Sequence, residues 1–249
     1  MTDDGGRSGF GWHRWTDLDE VRARLAEGAD PSRGMMSGWS PERSALASEA
    51  SDLFDPGASL APEEAAVVAE SRRLIGVIGD LHTEGLGIAC VADIDVAEAL
   101  SRLDAHIVAG DLDRMMATWA EDPVGDDTIL TMWATDVPGG CVLAQPWGYG
   151  PTMHGVTKAL SVRTTCYALY ANPKSGNQGS IIRDGEIIAW DMSPGGQPDE
   201  QGDVLMSHLY RHHAVAYCFA YVGLRPVDNR AVTGPPDAWI RLPVRDYWS

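Results

Sequence analysis

The strongest constraint on the fold of this chain is the stretch Ser180-Ile181-Ile182-Arg183-Asp184-Gly185-Glu186-Ile187-Ile188. Asp-Gly between two β-branched runs predicts a β-hairpin closed by a type I′ turn, because both central residues of that turn need φ > 0. The turn fixes a register in which Arg183 faces Glu186, Ile182 faces Ile187, Ile181 faces Ile188, and Trp190 lies across from Gly179. In that register Trp190, Ile181 and Ile188 share one face, and Ile182, Ile187 and Ala189 share the other. Apolar side chains on both faces predict a hairpin covered on two sides.

The rest of the chain reads as α+β around this hairpin. Residues 17–27 form a short helix with Thr16 as N-cap, Leu18, Val21 and Leu25 on one face, and Gly28 at its end. Residues 29–60, rich in Pro, Gly, Ser and Ala, read as a loosely ordered connection. Pro62, Glu63 and Glu64 open a helix that runs to Ile78. Residues 86–91 are a short apolar run that fits either a helix or a buried strand. Asp95 and Asp111 start amphipathic helices over 96–103 and 111–120. Strands over 128–135 and 140–146 flank Pro138-Gly139, a type II turn signal. A third strand covers 164–170, and the hairpin arms cover 179–183 and 186–191. Residues 200–222 read as one long helix, and Trp239-Ile240-Arg241-Leu242 as an extended tail fit to add an edge strand.

Strands gathered between helical blocks favour α+β over a doubly wound fold. The expected architecture is an antiparallel sheet of about five strands packed against helices, one face covered by the helices at 62–78 and 200–222. Residues 1–60 form a long N-terminal arm with one short helix, and residues 61–249 the α+β core domain.

One further signal is the order of motifs. An apolar strand, Trp147-Gly148-Tyr149, a Thr-rich strand, Asn172, the Arg183-Asp184-Gly185-Glu186 hairpin and Pro198-Asp199 before a helix follow one another. Over residues 86–222 this order resembles an uncharacterised actinobacterial domain-of-unknown-function family. The chain departs from that pattern by inserting Pro173-Lys174-Ser175-Gly176 after the Asn and by its long arm. The resemblance implies fold and source; it carries no activity.

Composition narrows the function classes. The 249 residues are 44% hydrophobic and 22% charged, ordinary for a globular protein. The net charge of −17 repels phosphate backbones and anionic lipid, so the expected partner is a protein, with no nucleic acid and no membrane. Cys90, Cys141, Cys166 and Cys218 lie far apart, without a C-x-x-C pair. The acidic start lacks an apolar h-region, and no apolar run reaches bilayer length, so a cytoplasmic protein with reduced thiols is expected.

Chemistry-bearing patterns are incomplete. His208 and His212 stand at the i, i+4 spacing of helical zinc sites, but Leu209 occupies the position where a zincin carries its general base. No metal and no cofactor is expected. Ser37 is one residue off the G-x-S-x-G elbow. Cys166 lies mid-strand, where a thiol is usually packing, although pairing with His212 or His213 stays open. Candidate binding residues come from two loops. Asn172, Lys174 and Asn177 belong to a Gly-containing connection able to form an anion nest, as well as to an ordinary turn. Trp147 and Tyr149 leave a strand beside two glycines, and His212 completes the set.

Two functions fit. One is a non-catalytic interaction module, immunity- or antitoxin-like, whose acidic surface meets a basic protein. The other is an enzyme or small-molecule-binding protein using a polar and aromatic site at the open end of the sheet.

Overall fold

The computed structural model describes residues 18–32, 40–48, 59–81, 83–195 and 204–248. The arm through Trp15, the Thr16 cap and the Ser37 motif lie outside the described residues. The chain divides into two compact units: the described parts of Met1–Arg72 with Gly195–Arg211, and Arg73–Pro194 with His212–Ser249.

In the first unit, α1 spans Leu18–Ala26, α2 Pro41–Leu46, and α3 begins at Pro62 and runs to Ile78, crossing into the second unit. Ala47, Val68 and Leu205 form a small buried cluster flanked by Leu60, Val67 and Leu209. Arg43 pairs with Glu64, and Arg72 Nη2 donates to the Ser48 carbonyl at 3.2 Å.

The second unit is built on one sheet. Its strands are β1 (Gly87–Ala92), β2 (His106–Val108), β3 (Thr131–Val137), β4 (Gly140–Gln145), β5 (Thr165–Asn172), β6 (Gly176–Arg183), β7 (Glu186–Asp191) and β8 (Ala238–Arg241). They are ordered β2-β8-β3-β4-β1-β5-β6-β7, with every neighbouring pair antiparallel. The helices between them are α4 (Val96–Leu103), α5 (Leu112–Glu121), α6 (Asp126–Ile129) and α7 (His154–Leu160). α8 (Val204–Leu209) belongs to the first unit; α9 (Ala214–Tyr221) and α10 (Arg230–Thr233) belong to the second.

Local chemistry sets the element ends. The Asp95 side chain accepts from Glu98 N at 2.8 Å and that of Asp111 from Arg114 N at 3.0 Å, capping α4 and α5. Gly139 takes φ +98° between β3 and β4, and Asp184 and Gly185 take +50° and +79°, the two positive values of a type I′ turn. β5 and β6 meet through Pro173–Ser175, with Gly176 at φ +77° closing the loop.

Residues directly opposite in a ladder share a face, and this sorts the sheet into two cores. On one face Ala89, Val91, Met132, Ala134, Leu143, Cys166, Ala168, Ile182 and Ile240 pack under α4 and α7 through Val96, Ala99, Leu103, Val156 and Leu160. On the other, Ile88, Cys90, Trp133, Val142, Tyr167 and Leu169 lie toward α9 and α10. β1 is apolar on both faces because both are covered.

Several expectations need correction. The sheet has eight strands rather than about five: β2 is only three residues long, and β8 is only four. β8 is not an edge; it lies between β2 and β3. Helices cover both faces instead of one. Residues 126–129 coil into α6 before β3 begins. The helix expected over 200–222 is interrupted after Leu209, with His212 in the left-handed region at φ +69°.

The hairpin register holds at Arg183–Glu186 and Ile182–Ile187, then slips. Ile181 pairs with Ala189, Ser180 with Trp190 and Gly179 with Asp191, so Ile188 is the extra residue of a β-bulge. A one-residue slip reverses every later side chain. Trp190 therefore joins the face of Ile182 and Ser180, and Asp191 joins that of Tyr167, whose hydroxyl donates to Asp191 Oδ2 at 2.6 Å. β7 is also an exposed edge rather than doubly covered: Ile188 is 50% and Trp190 60% exposed.

Candidate functional site

The slip builds a cleft. Where β5, β6 and β7 pass the start of α7, Tyr170, Asn172, Gln178, Ser180 and Trp190 all point to one face, as their ladder pairing requires. Across from them stand Tyr149 and Thr152 from the 3-10 turn at Gly150–Thr152, His154 from the first position of α7, and Trp248 from the C-terminal tail. These residues line a half-open cleft of about 370 Å³, within the size range of small-molecule sites.

Five rings form a continuous arc along its wall. Tyr170 meets Tyr149 at 5.8 Å between centroids, Tyr149 meets Trp248 at 5.6 Å, Trp248 meets His154 at 5.8 Å, and His154 meets Trp190 at 5.3 Å. The planes of successive rings cross at 47° to 77°, edge-to-face or tilted. The floor is polar and uncharged: Asn172, Gln178, Ser180 and Thr152. Burial, then the neighbouring Tyr149, pushes the Tyr170 phenol upward, so its hydroxyl keeps its proton.

The wall is held from behind. Gln145, fully buried, donates through Nε2 to the carbonyls of Thr128 and Thr131 at 2.7 Å and of Ile129 at 3.1 Å. Its Oε1 accepts from Gly150 N at 2.7 Å, which fixes the turn after Tyr149. A Cβ on Gly87 would press into the Gly148 carbonyl and Tyr149 Cα, so glycine lets β1 pass behind that loop. The tail is fixed by Gly155 N donating to the Tyr247 carbonyl at 2.7 Å and by Arg245 Nη2 donating to the Leu103 carbonyl at 3.2 Å. Trp248 projects from this anchored strap.

The expected binding residues separate into four places. Tyr149 and Asn172 come together in the cleft. The Asn172 Oδ1 also accepts from Lys174 N at 2.8 Å and Ser175 N at 3.2 Å, an Asx turn, so only its amide N–H groups are left for a ligand. Lys174 sits at the exposed turn tip and lines no part of the cleft. Trp147 is buried on the opposite face, stacked on Trp239 at 5.5 Å and edge-on to Trp133 at 5.7 Å. Asn177 and His212 line a separate recess of about 90 Å³ beside His213, Asp80 and Leu169. There burial, followed by His212, lowers the His213 pKa, while Asp80 raises it.

The paired-imidazole idea loses its premise, because α8 ends at Leu209 and no helix carries both His208 and His212. Among the described residues no cluster of three His, Cys, Asp or Glu is arranged to hold a metal. The four thiols are free and buried, and burial raises all of them, Cys141 to about 12. Cys166 packs in the α4/α7 core, away from the face that carries the His212 recess.

Thr152, His154, Tyr170, Gln178, Ser180, Trp190 and Trp248 line the cleft without a signal in the sequence that marks them as site residues. Compared with family models, with curated proteins and with solved structures, the chain gave no significant match. No helix among the described residues is long and apolar enough to cross a membrane.

Proposed function

We propose that this chain is a non-catalytic binding protein whose ligand is a small molecule held in the Tyr149–Trp190–Trp248 cleft. The observation that carries this reading is the convergence of five rings and four uncharged polar side chains from five separate segments on one cleft. Exposed aromatic surface of this extent costs free energy in water and is retained where a ligand covers it. The lining holds no carboxylate pair, and the Thr152 hydroxyl donates to the Tyr149 carbonyl rather than to His154, so the cleft supports recognition rather than bond cleavage. Saturation-transfer NMR with a mixed panel of small polar metabolites tests the reading. At least one compound should show transfer that disappears in Trp190→Ala and Trp248→Ala; transfer unchanged in both variants would refute it.

A second reading, a protein-partner surface, is supported by α5. Leu112, Met116 and Trp119 lie at i, i+4 and i+7, 46%, 42% and 39% exposed, and no residue of the helix is buried. With a net charge of −17, a basic partner is favoured, as an immunity- or antitoxin-like protein would require. Met116→Asp should abolish co-purification of such a partner at low salt; enrichment of the same partner by the variant would remove this face from consideration.

A further inference from the structure

Resting on the cleft reading above, we infer that the ligand is a neutral carbohydrate, a short oligosaccharide laid with its C–H faces against Trp190 and Trp248. Three observations select this class. The first is charge: Tyr149, Thr152, Tyr170, Asn172, Gln178, Ser180, Trp190 and Trp248 are uncharged, and beside them and His154 the described lining contains no Asp, Glu, Lys or Arg. A phosphate or carboxylate would lose hydration without a counter-charge and would enter against a net charge of −17.

The second is the pairing of surfaces. The two tryptophans at the open side, 60% and 56% exposed, offer flat apolar faces. No described side chain takes up the hydroxyls of Tyr149, Tyr170 or Ser180, and the Asn172 amide N–H groups are equally unengaged, so donors and acceptors stand ready on the floor. A purely apolar ligand would bury these groups unpaired, and an onium ion would use the rings while leaving the floor unmatched. A pyranose matches both, because one side of its ring is C–H and its rim is hydroxyl.

The third is the angle between rings. Successive planes cross at 47° to 77°, so no two neighbours form the parallel slot into which a flat heterocycle would slide. A puckered ring with axial and equatorial edges fits an arc of tilted walls better than a nucleobase does.

Titration calorimetry on the full chain tests the inference with cello-, xylo-, malto- and N-acetylchito-trioses as probes, and with choline and adenosine as the rival classes. The expected result is binding of at least one triose, weakened tenfold or more in Trp190→Ala and in Trp248→Ala, unchanged in Lys174→Ala, and insensitive to salt because no charge is engaged. Gln178→Ala and Ser180→Ala provide a second pair of variants should a tryptophan variant fail to fold. Choline or adenosine binding that depends on the same tryptophans, with no triose bound, would overturn the carbohydrate class and leave the cleft standing. Triose binding indifferent to all four variants would overturn both, as would the absence of any binding among the six probes together with no saturation transfer from the metabolite panel.

Discussion

Gln145→Met probes how the cleft is held. Methionine keeps the length and the aliphatic stem of the fully buried Gln145, so the change removes its polar head with little loss of volume. Gly150 N–H then loses its 2.7 Å acceptor in a dry interior, which costs about 1–3 kcal/mol. The Thr128 and Thr131 carbonyls lose donors at 2.7 Å, about 1 kcal/mol each net, softened at Thr128 by the 3.4 Å bond from Trp147 Nε1. The sum is on the order of 3 kcal/mol, a hundred-fold change in the unfolding equilibrium and a large share of the 5–15 kcal/mol typical of a domain. Urea denaturation followed by near-UV circular dichroism of the stacked Trp147–Trp239 pair measures it in the unit concerned. A loss below about 1 kcal/mol would show that the four-bond node is not what fixes the turn after Tyr149, and that the cleft wall is held by something else.

Other perturbations test neighbouring claims. Tyr167→Phe should cost about 1–2 kcal/mol, because a charge-assisted 2.6 Å bond is lost while Asp191, half-buried at the edge, regains water; an unchanged urea midpoint would argue against the bulged register that joins the two. The buried thiols have folded values raised above the ordinary 9.0, Cys141 to about 12. Their contribution is complete below pH 9 and declines as pH rises from 9 toward 12, so stability in reducing buffer should fall across that window, and a flat profile would contradict their burial. His208 is held down to about 4 by burial and then by Arg211, against an ordinary 6.5. It is neutral in the folded state, so its contribution is present above 6.5 and lost as pH falls through 4, a limb that His208→Gln should flatten in an acid titration. Gly87→Ala should destabilise the fold and displace Tyr149, visible as a shift of its ring resonances; an unmoved Tyr149 would show that this close approach is not needed.

Much of the fold was written in short signals. Asp95 and Asp111 announce their helices because a cap is a local hydrogen bond, and Pro138-Gly139 and Asp184-Gly185 announce their turns because φ > 0 selects residue types. The bulge at Ile188 was illegible, since three consecutive β-branched or small residues satisfy either register equally well. The break between α8 and α9 carries no Gly or Pro; His212, a residue type with no special turn signal, adopts the left-handed conformation at φ +69°. β2 and β8 are too short to show periodicity. The cleft suffered most from this. Trp190 reaches it only through the bulge, Trp248 comes from the far end of the chain, and Ser180 and Gln178 look like ordinary strand residues. Tyr149 and Asn172 were found because loops beside strands expose them, whereas Trp147, two positions away, turned into the core.

The central claim is that a ligand is covered by Trp190 and Trp248 while the indoles of buried Trp133 and Trp147, and of half-buried Trp239 packed against them, stay on the opposite face of the sheet. The most direct measurement is a titration of the assigned tryptophan indole N–H resonances with the tightest-binding ligand. Shifts at Trp190 and Trp248, with the Trp133, Trp147 and Trp239 indoles unmoved, are the result predicted. Shifts confined to other tryptophans at a ligand concentration that saturates binding would contradict it.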